Sequence, residues 1–204
     1  MKKNKTYNLV VTAVLAALVV VLQIFASSFQ IGSVAFSFVL IPIVLGGIIV
    51  GPYCGLFLGE LFGFITLFAG ILGRDPFTYM IWQYSPIRTI IICLVKAGVA
   101  GLVPALVYRL IAGGKNAAPA GNSRIVRPLI GSIAASILAP VCNTGLFLIL
   151  AYMFKDCLNL NATGIWGFYV ALFISVMVNF FVEIGTTAVI TPAIFMAYKK
   201  ALKK

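Results

Sequence analysis

Six long runs of apolar residues, separated by short polar segments, constrain this sequence more than any other feature. A helix that crosses the hydrocarbon core of a bilayer needs about 20 mostly apolar residues. With 62% hydrophobic and 9% charged residues, the composition also differs from that of a soluble domain, in which about 25% of residues are charged. The sequence predicts an all-α membrane protein, a bundle of six transmembrane helices that form a single domain over residues 1–204. The predicted spans are residues 7–26, 36–50, 53–72, 87–111, 127–153 and 166–198.

Lysine and arginine are distributed unevenly between the segments that separate these runs. If both termini lie in the cytoplasm, eleven of these residues fall on the cytoplasmic side and two, Arg74 and Lys155, fall outside. Because cytoplasmic segments carry the excess of Lys and Arg in membrane proteins, we expect both termini in the cytoplasm of a cell-membrane protein. The same rule explains the net charge of +11 without a nucleic-acid partner, and it places the Gly-, Ala- and Pro-rich segment 112–126 as a cytoplasmic linker.

Several classes of function are disfavoured by residues that the sequence lacks. There is no histidine, and the four cysteines are widely spaced, so neither a metal-ligand pattern nor a disulfide framework is visible. No phosphate-binding loop of the P-loop type occurs. We therefore expect no metal, no bound cofactor and no enzymatic activity, and any energy for transport must come from an ion gradient or a partner. The apolar part of the first run, residues 9–26, is long for the hydrophobic region of a signal peptide, so we expect it to be retained.

Polar and aromatic residues are concentrated in the stretch GRDPFTYMIWQYSPIR, residues 73–88, between the third and fourth runs. One interpretation is an aromatic belt at the membrane surface, which Trp and Tyr commonly form. The other is a stiff external lid, because prolines at both ends would lower the entropy cost of closing over a ligand. The lid would contain the gating residues Arg74, Asp75, Phe77 and Tyr79 and the ligand-binding residues Trp82, Gln83, Tyr84 and Arg88.

The fourth, fifth and sixth runs each contain polar residues that are costly inside a membrane. Lys96 lies about 12 Å deeper than Arg88 on one helix, and it needs a partner at that depth. We predict a pair between Lys96 and Glu183, which would leave Arg88 free to bind an anion such as a carboxylate. Asn143 and Asn179 are either interhelical hydrogen-bonding residues or ligand-binding residues.

Small residues in the first and third runs allow close helix contacts. Gly55, Gly59 and Gly63 form a repeated small-xxx-small pattern that is typical of packing within a bundle. Ala13 and Ala17 lie on one face of the first helix, where internal packing and docking on a partner subunit are both open. Glu60, beside the glycine pattern, either snorkels towards the interface or serves as a proton site.

The chain resembles the substrate-binding membrane subunits, or S-components, of energy-coupling factor (ECF) vitamin transporters. The resemblance covers nearly the whole chain: six runs, both ends cytoplasmic and the Ala13/Ala17 pair. It also includes FSFVLIPIVLGGIIVGPYCGLFLGELFGF, the polar GRDPFT, CNTGLFLILAYMF and NFFVEIGTTAVITPAI.

The resemblance implies a protein that binds a micronutrient from outside, beneath gates at residues 30–35 and 73–85. It implies docking through Ala13 and Ala17 on a transmembrane coupling subunit, with two cytoplasmic ATPase subunits that use the ATP. The polar residues of the last two runs look most similar to the pantothenate branch, while riboflavin and folate subunits stay open as alternatives. An autonomous carrier coupled to ions through Glu60 or Glu183 is the competing class.

Overall fold

The described part of the chain is almost entirely helical. The computed structural model describes residues 5–26, 30–31, 34–35, 38–113, 123–154 and 164–201. A 3-10 turn, Tyr152–Phe154, continues α6, and a short antiparallel hairpin pairs β1, Gln30–Ile31, with β2, Val34–Ala35. The prediction of an all-helical chain is confirmed. The seven α-helices of the described residues are α1 Lys5–Ala26, α2 Leu40–Ile49, α3 Pro52–Ile71, α4 Pro76–Tyr84, α5 Pro86–Ala112, α6 Ser123–Ala151 and α7 Gly164–Ala201.

Five of these helices, α1, α3, α5, α6 and α7, are long and apolar enough to cross a membrane. Their outward faces carry large apolar side chains, such as Leu9 at 70% and Leu110 at 81% exposure. These faces suit contact with lipid, because lipid tails impose no penalty on exposed apolar surface.

The helix α2 has a different place in the bundle. Its ten residues are all buried, and it packs against α1, α3, α5, α6 and α7. A helix that is apolar on every side belongs in the interior, and Val39, Ile43 and Val44 lie at the centre of the largest core cluster. At about 15 Å, α2 is shorter than the ~30 Å hydrocarbon core, so the second predicted run contains a central helix of half that length.

The contact between α3 and α5 depends on glycine. A Cβ atom on Gly55 would overlap the carbonyl oxygen of Gly101, and one on Gly59 would overlap that of Ala97. A Cβ on Gly63 would lie 2.8 Å from the carbonyl oxygen of Cys93. The prediction that this glycine pattern packs within the bundle is confirmed, because each glycine touches the α5 backbone.

The bundle has two distinguishable ends. At the first, called here the terminal end, the Tyr7 and Tyr198 hydroxyls form a hydrogen bond of 2.5 Å, which brings the start of α1 to the end of α7. At the second, called the α4 end, Gln23 donates a 3.2 Å hydrogen bond to Thr66, and α4 joins α3 to α5. The chain therefore has Lys5 and Ala201 at the same end of the bundle.

Some predicted boundaries differ from those of the structure. The second helix begins at Leu40 rather than at residue 36, and α6 begins at Ser123 rather than at residue 127. Of the predicted linker, residues 114–122 lie outside the described residues, as do Lys155 and Cys157. Part of the predicted gate at residues 30–35 is the β1–β2 hairpin.

Candidate functional site

The segment predicted to be a lid loop is a helix for most of its length. Asp75 is the N-cap of α4, where its Oδ1 accepts from the Thr78 backbone N–H at 3.3 Å and its Oδ2 accepts from the Thr78 hydroxyl at 3.0 Å. Pro76 and Pro86 occupy the first positions of α4 and α5. Proline is favoured there because the missing N–H has no partner within the helix. The prolines therefore begin two helices, so most of this segment is helical, and its role as a lid stays a prediction.

One face of α4 packs tightly on α3. Thr78 and Ile81 are buried, and a Cβ on Gly70 would overlap the Thr78 side chain. Phe77 and Trp82 pack at the edge of a second core cluster built around Ile81, Ile92 and Phe154. Trp82 thus serves packing in this structure.

The other predicted residues of this stretch point outwards. Tyr79 and Tyr84 are 43% and 46% exposed, and Arg74 and Gln83 are also exposed. Tyr84 contacts the Phe154 ring with centroids 6.2 Å apart. These side chains lie on the surface of the α4 end and not in its interior. This position is typical of an aromatic belt.

Arg88 ties the start of α5 to the end of α6. Its Nη1 donates a 2.8 Å hydrogen bond to the carbonyl oxygen of Met153, at an exposed position. Arg88 is therefore already engaged in one contact, and its predicted binding of an anion stays a prediction. Arginine has five N–H donors, so the group retains capacity for a further contact.

We call four polar side chains of α5, α6 and α7 the buried polar cluster: Lys96, Asn143, Asn179 and Glu183. Lys96 and Asn179 are half-buried and the other two are buried. Asn143 is included because Phe147, one turn along α6, contacts the Lys96 ammonium. Glu183 is 3% exposed and Asn143 is 8% exposed. Asn179 shares a hydrogen bond with Glu183, whose carboxyl also experiences the positive charge of Lys96. Three oxygens, Oδ1 of Asn143, Oδ1 of Asn179 and Oε2 of Glu183, have no hydrogen-bond partner among the described residues.

Lys96 contacts an aromatic ring instead of a carboxylate. Its Nζ lies 5.3 Å from the centroid of the Phe147 ring, within the range of a cation–π interaction. No ion pair joins Lys96 to Glu183 in the part of the chain that the structure describes, so the predicted direct pair is wrong. Phe147 is one turn beyond Asn143 on α6, so both lie on one face of that helix, and Phe77 of α4 meets the Phe147 ring edge-on at 5.2 Å.

The cluster offers one ammonium, three unpartnered acceptor oxygens and an aromatic wall. A buried acceptor without a partner costs about 1–3 kcal/mol, and an unpaired lysine within a span costs about 2.5 kcal/mol or more. A ligand that supplies N–H or O–H donors and one negative charge would remove these costs. The arrangement therefore suits binding of a small, polar, anionic molecule.

A family model described as "ECF transporter, substrate-specific component" matches residues 7–195 of the chain. The chain belongs to this family. It is accordingly a substrate-binding transporter subunit of a multi-pass membrane type, and not an enzyme.

Among curated proteins, this substrate-specific component is similar to the pantothenic acid transporter PanT of Lactococcus lactis subsp. cremoris (strain MG1363). The two are 24% identical over 213 residues, which cover 98% of each chain. No solved structure gives a significant match.

Ala13 and Ala17 of the substrate-specific component are exposed on α1. The neighbouring Val10, Val14 and Leu18 are 55%, 56% and 45% exposed. The sequence left two interpretations open for these alanines, packing within the bundle and docking on a partner. Their exposure excludes packing within this bundle. Ala13 and Ala17 therefore lie on the outside of α1 among larger exposed apolar side chains.

Glu60 lies in the contact between α3 and α5, where Gly98 leaves room for its carboxyl group. Glu60 itself is half-buried. No group of three or more His, Cys, Asp or Glu side chains that could hold a metal occurs within the described ranges.

Three residues that make contacts towards the α4 end of the bundle were not identified from the sequence. Phe147 provides the aromatic wall of the cluster, while Gln23 and Thr66 form a buried hydrogen bond between α1 and α3. The available signals were the spacing of four residues between Asn143 and Phe147 and the single glutamine within VVVLQIF. Neither signal indicates which neighbour the side chain meets.

Proposed function

We propose that this protein captures pantothenate for an ATP-driven ECF importer. The observation that carries the proposal is the buried polar cluster, which combines three unpartnered acceptor oxygens with the Lys96 ammonium over the Phe147 ring. The family assignment makes the chain a substrate-binding subunit, and the similarity to a pantothenic acid transporter supports this particular vitamin.

Pantothenate has the groups that the cluster lacks. It carries one carboxylate, two hydroxyls and one amide N–H, so its three donors equal in number the three unpartnered oxygens of Asn143, Asn179 and Glu183. Riboflavin and folate carry large aromatic rings, which stack favourably on flat aromatic side chains. Phe77 and Phe147 instead pack edge-on against each other with an interplanar angle of 62°, which favours the aliphatic vitamin.

We place the α4 end outside the cell and both termini in the cytoplasm. Since α1 and α3 both run from the terminal end to the α4 end, the chain returns between them through the segment that includes α2. The chain then makes six traversals. The lysines near the terminal end, Lys5, Lys199 and Lys200, support the orientation by the positive-inside rule.

The partners proposed are a transmembrane coupling subunit and two ATPase subunits, with Ala13 and Ala17 as the docking face. Small residues on an exposed transmembrane face allow another helix to approach closely. Replacing both alanines by leucine is expected to abolish co-purification of the module from native membranes, while ligand binding by the isolated subunit persists. Undiminished co-purification would contradict this docking face.

The proposed function is tested by uptake of labelled pantothenate into vesicles that contain this protein and an ECF module. Uptake is expected to require ATP and to resist competition by excess riboflavin or folate. Uptake that persists without ATP would favour the carrier coupled to ions through Glu60 or Glu183. Competition by riboflavin or folate would contradict the substrate assignment.

A further inference from the structure

Two cations of α5 lie at different depths near the candidate site. Arg88 is exposed at the α4 end, and its Nη1 binds the carbonyl oxygen of Met153. Lys96 lies eight residues further along α5, about 12 Å deeper, where it is half-buried. Their surroundings indicate different roles.

The Lys96 ammonium is held in place by an aromatic ring and not by an ion pair with a carboxylate of the described residues. The Phe147 ring at 5.3 Å orients the ammonium, and no carboxylate oxygen forms an ion pair with it within the described part of the chain. Glu183 experiences its charge but shares a hydrogen bond with Asn179 instead. The ammonium therefore has N–H donors available for an anion that enters the cluster.

Glu183 restricts how an anionic ligand can lie in the cluster. A carboxylate placed against the unpartnered Oε2 of Glu183 would supply no donor to that oxygen, and it would be repelled whenever the Glu183 carboxyl is ionised. Hydroxyl or amide donors placed there would satisfy the oxygen. The favourable orientation of the ligand therefore has its anionic end facing Lys96 and its donor groups towards Asn179 and Glu183.

We infer that Lys96, and not Arg88, binds the ligand's carboxylate and determines the preference for an acid over the corresponding alcohol. The inference rests on the proposed function, since it assumes that pantothenate is bound. Arg88 is then a positioning residue that holds the end of α6 against α5.

The test compares the affinities of pantothenate and of pantothenol, its uncharged alcohol analogue, for the purified protein. The unmodified protein is expected to bind pantothenate about 10- to 100-fold more tightly, as a hydrogen bond to a charged group implies. Lys96→Met removes the charge but keeps an unbranched side chain. This variant is expected to bind both compounds with the same affinity, which is weaker than the affinity of the unmodified protein for pantothenate. A Lys96→Met protein that keeps the preference overturns the inference.

Arg88→Met is the matched control, because it removes a cation from the same helix at an exposed position. It is expected to retain the preference, and loss of the preference would overturn the inference even if Lys96→Met failed to fold. Equal binding of both compounds by the unmodified protein overturns the inference alone. Binding of neither compound overturns the proposed function together with it.

Discussion

Replacing Gly55 by alanine is expected to lower the midpoint of thermal unfolding in detergent by about 2–12 °C. The added Cβ would overlap the carbonyl oxygen of Gly101. This oxygen belongs to the backbone of α5, so it cannot move aside as the end of a flexible side chain could. Overpacking typically costs about 1–3 kcal/mol, and each kcal/mol shifts the midpoint by about 2–4 °C in a chain of this size.

Gly185→Ala on α7 is the matched control, because a Cβ there would meet nothing within 4 Å. Alanine has a higher helix propensity than glycine by about 1 kcal/mol, so this variant is expected to unfold at the same or a higher temperature. The two substitutions are chemically identical, so their opposite effects would isolate the close contact between α3 and α5. Equal stability of the two variants would contradict that contact.

Replacing Asn143 by leucine is expected to weaken pantothenate binding about 10- to 100-fold without loss of stability. The Asn143 Oδ1 has no partner among the described residues, so removing this oxygen relieves an unsatisfied acceptor in the empty protein. A donor of the bound ligand would then lack its partner, which costs about 1–3 kcal/mol. Affinity is measured by titration calorimetry and stability by the unfolding midpoint.

Asn8→Leu provides the comparison at the opposite end of the bundle. The Asn8 Oδ1 is also buried without a partner in the described structure, but Asn8 lies near the terminal end on α1. The substitution is expected to leave the affinity for pantothenate unchanged. Equal losses of affinity in the two variants would show that Asn143 acts through general stability rather than through the ligand.

The long helices could be predicted from the sequence because a long apolar run is stable only where its side chains contact lipid or a protein core. The central helix α2 could not be distinguished in this way, since Ile43 and Val44 would suit lipid as well as they suit the interior. The glycine contact was predictable because Gly55, Gly59 and Gly63 repeat at the spacing of one helix face. Its partner surface on α5 was not, because the rotation of a neighbouring helix leaves no local signal.

The candidate site was predictable in its residue types and less so in its contacts. Polar residues inside apolar runs identified Lys96, Asn143, Asn179 and Glu183, because such residues are costly in a membrane. The sequence suggested that Lys96 meets Glu183, but the structure places its ammonium over Phe147. Opposite charge predicts attraction, whereas the contact itself depends on the relative rotation and depth of α5, α6 and α7.

The helix α4 shows a local signal that could have been used. Asp75, Pro76 and Thr78 provide an N-cap, a first-turn proline and a hydrogen-bonding partner in the order that begins a helix. The density of aromatic and polar residues favoured a lid instead. The capping contacts of Asp75 with Thr78 show that the start of this stretch was predictable from its turn chemistry.

Native mass spectrometry of the purified protein, incubated with an equimolar mixture of the B vitamins, tests the central claim most directly. The buried polar cluster is expected to retain one molecule with the mass of pantothenate, and Asn143→Leu is expected to lose it under the same conditions. Retention of riboflavin, folate or another vitamin in its place, or of no vitamin at all, would contradict the account.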